Sequence, residues 1–254
     1  MADAIVLTNQ KGGVGKTTTA GVLICGLNDR GKKVLGIDLD PQGSLGFSLG
    51  IDIENGYSVH DILSKRVTAQ EAIRKSDFGD IIPSNILLSG AELEFSRPGR
   101  EYLLRDAIAP IKDNYDYIII DTPPALNILT TNAYTLANKL LIPMLSDILS
   151  LLGISQLKET IDTVKKFYNP NLEILGILLT KHNKRFNLSR DVEEMANKIA
   201  EQLGTVVLNT KIRNSVVIAE APAHGESVLS YAPKAKATGD YLELLESIIS
   251  EGMI

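Results

Sequence analysis

The sequence predicts a doubly wound α/β fold, a single domain over residues 1–254 with a mostly parallel sheet and helices on both faces. Three observations lead there. Short apolar, β-branched runs of strand length recur along the chain. Helical stretches lie between them, which is the order of a sheet wound by right-handed crossovers. No Pro/Ser-rich linker, low-complexity tract or internal repeat divides the chain.

The first strand is 4–8, an apolar run of the kind covered on both faces. A glycine-rich turn follows, and 17–29 reads as a helix stopped at Gly31, a residue that readily takes the left-handed conformation of helix ends. The second strand, 33–37, runs into Asp38-Leu39-Asp40 and completes a βαβ unit. Residues 43–105 are glycine-rich and predict short helices at Val59–Leu63 and 69–75, loops over the carboxyl edge, and a short strand within 80–84. Further strands are predicted at 117–120, 139–142, 175–179 and 205–208. Helical periodicity is clearest at 153–167, Asn187–Leu203 and 237–250.

Composition narrows the function. With 44% hydrophobic and 22% charged residues the chain is globular, not disordered. No apolar run reaches the 18 or so residues of a membrane span, and MADAIVLTNQ lacks the order of a signal peptide. The single cysteine, Cys25, excludes an intrachain disulfide and any four-cysteine metal site within one chain. A formal charge of −5, from 26 basic and 31 acidic residues, makes the global field repulsive to nucleic acid, so any such binding needs a local patch. His60, His182 and His224 are far apart, form no metal motif and are expected at the surface or in loops.

Between the first strand and the first helix lies Gln10-Lys11-Gly12-Gly13-Val14-Gly15-Lys16-Thr17-Thr18. Three glycines with Lys and Thr at fixed places arise by chance on the order of 10⁻⁶ per position, and the strand and helix flanks are those of a P-loop. Glycines let backbone N–H groups converge on phosphate oxygens at a helix N-terminus. Residues Gly12 to Thr18 are therefore candidate nucleotide ligands, with Lys16 countering the β- and γ-phosphate charge and the Thr17 hydroxyl directed at Mg²⁺. Two carboxylate segments follow strands. Asp121 ends the apolar run 117–120 and is the Walker B candidate for Mg²⁺; Asp38 and Asp40 follow the second strand.

Gln10 replaces the first glycine of the general P-loop pattern, and Lys11 adds a second lysine. This deviant Walker A form, KGGVGKTTT, resembles the ParA/Soj partition ATPases and their MinD-like relatives, and the resemblance extends over essentially the whole chain. It implies that Lys11 reaches across a two-fold axis to the nucleotide of a second subunit, forming an ATP-sandwich homodimer. DLDPQG matches the family's second motif; by resemblance Asp40 positions the attacking water and shares the metal site with Thr17 and Asp121, Asp38 supports the metal network, and Gln42 belongs to a nucleotide-sensing switch. The segment 143–157 ends in the family's G-x-x-Q-L, but Asp147 stands where a glutamate is common. Thr210-Lys211-Ile212-Arg213-Asn214 through Gly225 resembles the C-terminal motif near adenine, which places Thr180 and Ile212 by the base.

Relatives bind DNA non-specifically through basic residues, and 181–190 holds four Lys/Arg and no acid. Arg185 matches a DNA-contact arginine of the family; a second falls on Val217. Lys184, Arg185 and Arg213 are the candidate DNA residues, with Lys211 a substitute for the missing arginine and Lys234 and Lys236 extending the stripe. The resemblance implies ATP and Mg²⁺ as cofactors, a ParB-like centromere-binding or adaptor partner, and a cytoplasmic, nucleoid-associated location. With the first strand starting at residue 4, no helix-turn-helix extension is expected. Two other readings are weaker. A MinD-like membrane ATPase should carry a basic amphipathic tail, whereas the last helix here is acidic; no membrane partner is expected. Electron-transfer iron proteins with this loop use two cysteines per subunit, which Cys25 alone does not supply. A ParA-like ATPase that positions a protein cargo is the remaining alternative.

Overall fold

The computed structural model describes residues 2–146, 154–182 and 187–250. Its strands are β1 (Asp3–Leu7), β2 (Val34–Asp38), β3 (Asp80–Ile82), β4 (Tyr117–Asp121), β5 (Lys139–Leu145) and β6 (Glu173–Thr180). They form one sheet in the order β3-β2-β4-β1-β5-β6, and every pairing is parallel. The helices are α1 (Lys16–Asn28), α2 (Ser44–Ser48), α3 (Val59–Leu63), α4 (Ala69–Ala72), α5 (Ala91–Glu94), α6 (Leu103–Ile108), α7 (Ile128–Leu136), α8 (Ile154–Phe167), α9 (Asn187–Leu203), α10 (Val216–Glu220), α11 (Val228–Tyr231) and α12 (Lys236–Ser250).

Alternate residues of each strand feed two cores, as the two-residue period requires. On β1, Ala4 and Val6 join the core shared with α3 and α6 to α9. Ile5 and Leu7 join the opposite core, with α1, α11 and α12. The predicted doubly wound architecture is the observed one. Helix α1 is buried almost all round, because the sheet covers one side and α12 the other. The approach is so close that a Cβ at Gly26 would run into the Leu245 side chain.

Three elements depart from the prediction. Residues 205–208 make only one bridge, Val207 to Ile177, with Ile177 N–H donating to Val206 and Leu208 N–H donating to Ile177, so an incipient strand lines the β6 edge. Helix α4 stops at Ala72, because Arg74 turns back and exchanges two hydrogen bonds with Ile81 of β3. The third, α7, was absent from the clearest periodic stretches. Its residues are buried on nearly every side, leaving no polar stripe to mark a helical period.

The histidines also depart from expectation. His60 is buried with Nε2 2.8 Å from Glu94, and His182 is buried beside Ser146. Only His224 is exposed, stacked on Tyr231.

Candidate active site

Parallel register brings the chemistry together. Asp38 and Leu7 both stand opposite Asp121, at the carboxyl ends of β2, β1 and β4. Open α/β sheets bind ligands at such an edge. A cavity of about 650 Å³ opens there. Gly12 through Thr18, Asp40, Thr180, Ile212, Arg213 and Tyr241 are among its lining residues. Clefts of about 510, 660 and 690 Å³ lie elsewhere on the surface, so volume does not select the site. The donors do.

Gly13 and Gly15, at φ of 72° and 91°, hold the loop in the left-handed region open to glycine. Asn9 organises the loop from beneath. Its Oδ1 accepts the Lys11 N–H at 2.9 Å, and its Nδ2 donates to the Pro143 carbonyl at 2.8 Å. Lys16 is 6% exposed, and its ammonium donates to the Asn9 carbonyl at 3.0 Å and the Lys11 carbonyl at 3.3 Å. Burial lowers the Lys16 pKa, opposed by the carboxylates of Asp121 and Asp40.

Thr17 and Asp121 form the candidate metal position. The Thr17 hydroxyl donates to Asp121 Oδ2 at 2.6 Å, while Asp121 Oδ1 is buried without a hydrogen-bond partner. Burial pushes the Asp121 carboxyl up to about 7, against the pull of Thr17 and Lys16. A hydroxyl and an unsatisfied carboxylate oxygen suit a hard divalent cation that takes its remaining ligands from water and phosphate. Among the described residues no cluster of three metal-ligating His, Cys, Asp or Glu exists.

Asp38 stands beside Asp121 on the neighbouring strand. Its Oδ1 accepts the Asp40 N–H and its Oδ2 the Leu45 N–H, both at 2.9 Å, so each oxygen is engaged by backbone. Burial and the facing Asp121 push its pKa well above the usual range. It anchors the loop that presents Asp40 to the cavity. Gln42 is exposed, its N–H donating to Asp40 Oδ1 at 3.0 Å.

Thr180 and Ile212 both line the cavity. The Thr180 hydroxyl donates to the Val14 and Met144 carbonyls, bracing the P-loop. Ile212 N–H donates to Leu179, and the Ile212 carbonyl accepts from His182. Arg213 is clasped by Asp240, and Lys211 pairs with Glu193 at 2.8 Å. Val217 packs against the core on the α1 side. Lys184, Arg185 and Asp147 lie outside the described residues.

Asn9, Asp240 and Tyr241 were missed as site residues. No spacing marks Asn9. Asp240 had a signal: it falls on the helix face of Ala237, Tyr241, Leu244 and Ile248, an acid in an apolar stripe.

With this geometry in hand, comparison with known proteins is direct. Residues 2–174 match the AAA domain family model. The chain is 40% identical over 258 residues to the sporulation initiation inhibitor protein Soj of Bacillus subtilis, covering 99% of this chain and 100% of that protein. It is 39% identical to the chromosome partitioning protein ParA of Caulobacter vibrioides over 97% of this chain and 93% of that one. The chain belongs to the ParA/Soj family. This ParA/Soj protein is an ATPase. Among solved structures, cobyrinic acid a,c-diamide synthase of Mycobacterium smegmatis with bound ADP and magnesium matches at TM-score 0.85 and 35% identity, covering 98% of this chain and 94% of that one. That protein has also been solved with an ATP analogue and magnesium.

Proposed function

We propose that this ATPase partitions DNA: Mg-ATP closes a sandwich dimer, the dimer holds non-specific DNA, and hydrolysis stimulated by a ParB-like partner releases it. The observation that carries the reading is the division between two lysines. Lys16 is turned inward between Asp121 and Asp40 and meets the charge of its own phosphate site. Lys11 precedes the lining run, and its backbone carbonyl accepts from the Lys16 ammonium at 3.3 Å. By the family resemblance, Lys11 would reach the nucleotide of a second subunit, where it would stabilise charge on the transferring phosphoryl group.

Thr17 and Asp121, with Asp40 beside them, would hold the magnesium ion, which neutralises phosphate charge when bound. Gly12 to Thr18 present backbone N–H groups and the α1 N-terminus to the phosphates. Asp40, steadied by Asp38, orients the attacking water and takes its proton. Thr180 and the 212–215 loop face the adenine. Lys184 and Arg185 contact DNA phosphates. Arg213, 47% exposed but salt-bridged, contributes least.

The membrane-bound alternative is disfavoured by α12, whose apolar face is packed on α1, with Arg30, just beyond the end of α1, also paired to Glu246. No helix among the described residues is long and apolar enough to cross a membrane.

The test is light scattering with a non-hydrolysable ATP analogue and Mg²⁺, followed by binding to random-sequence DNA over a salt series. Dimers that bind DNA with ATP but not ADP, more weakly as salt rises, are expected. A monomer at saturating analogue overturns the reading.

A further inference from the structure

Asp240 belongs to α12, remote in sequence from every motif that binds phosphate, yet it makes the most concentrated polar contact at the base end of the cavity. Its carboxylate accepts three hydrogen bonds from one residue: Arg213 N–H at 3.0 Å, Nε at 2.7 Å and Nη2 at 2.6 Å. Asp240 is 8% exposed, and the next residue, Tyr241, is 1% exposed and lines the cavity. Arg213 lines it too, between Ile212, tied to β6, and Asn214 and Ser215.

We infer that Asp240 is a positioning residue that sets affinity and selectivity for the base of the nucleotide by pinning the 212–215 loop through Arg213. This rests on the reading that the base occupies that end. Helix α12 packs along α1, whose N-terminus is the phosphate end, and the Tyr241 and Thr19 hydroxyls approach to 3.5 Å. One helix thus fixes the distance between the phosphate cradle and the base-side loop. The bidentate fork fixes direction as well as distance, and the bond to the Arg213 N–H holds backbone itself. A partly buried ion pair on an apolar helix face is commonly replaced by apolar residues with little loss. Its contribution is placement.

The experiment compares Mg-ATP with Mg-tripolyphosphate by titration calorimetry, because tripolyphosphate fills the phosphate end alone. Asp240→Ala should weaken ATP roughly 10- to 100-fold and change tripolyphosphate by less than about twofold. Arg213→Ala, which keeps the backbone bond to Asp240, should weaken ATP roughly 3- to 10-fold. The double variant Asp240→Leu/Arg213→Leu, which leaves no lone charge, should melt near wild type while matching the ATP loss of Asp240→Ala. Equal losses for ATP and tripolyphosphate, or unchanged ATP affinity in both Asp240 variants, overturn the proposal. If the wild-type protein binds tripolyphosphate as tightly as ATP, the base-end reading itself fails, and that outcome is visible before any variant is made.

Discussion

At the phosphate end of the cavity one unbroken stretch, Gln10 to Thr18, supplies backbone donors, lysine and hydroxyl, and the carboxylates come from two strand ends in register with it. At the proposed base end, Thr180, Ile212, Arg213 and Tyr241 come from β6, an irregular loop and α12. The first end concentrates buried charge: Lys16, Asp38 and Asp121 each have a displaced pKa, and Asp121 Oδ1 is unsatisfied. The second is neutralised in place, with Arg213 on Asp240. One end waits for a ligand to balance it. The other is complete as folded and acts by shape.

The sharpest way to break this contrast is Lys16→Ala. It should abolish binding of both Mg-ATP and Mg-tripolyphosphate, more than about 100-fold in calorimetry, because a charge-assisted contact is lost where two carboxylates face the anion. If either ligand still binds within tenfold of wild type, the phosphate end does not dominate. Asp40→Ala should lower turnover by about 10²–10³ while ATP affinity moves only a few-fold, the split expected of a group acting in the transition state. Parallel losses in binding and turnover would mean that Asp40 acts through nucleotide and metal binding alone and does not orient the attacking water. Lys11→Ala should bind ATP within a few-fold of wild type yet stay monomeric by light scattering; a variant that still dimerises removes the trans role.

The same contrast explains what the sequence revealed. The phosphate end was legible because backbone donors must come from consecutive residues, so its chemistry is written as a motif. The sheet was legible for a related reason: parallel strands buried on both faces are apolar throughout. The family likeness pointed to Thr180 and Ile212, which both line the cavity, but Asp240 and Tyr241 reach it only after α12 has packed on α1, a contact between distant residues. Asn9 was hidden because its partner, the Pro143 carbonyl, is backbone and carries no residue signature. Helix α7 was hidden by complete burial, and 205–208 misled because an edge segment can be strand-like and bridge only once.

The smallest expected effect lies in α1, the helix that joins the two ends. Cys25 is 2% exposed in the core that α1 shares with α11 and α12, and burial pushes its thiol up to about 12 from an ordinary value near 9. Between those values the folded state keeps a proton that the unfolded chain has released. Stability must therefore fall as pH rises above about 9 and stop falling near 12. The loss at pH 10 relative to pH 8 is on the order of 1 kcal/mol, one unit of differential protonation. Urea midpoints at the two pH values, for wild type and Cys25→Ala, isolate this contribution, since other titrating groups are common to both. The wild type should lose more than the variant. Equal shifts would mean that the thiol reaches solvent and that α12 does not seal against α1, and the fixed spacing between the two ends would go with it.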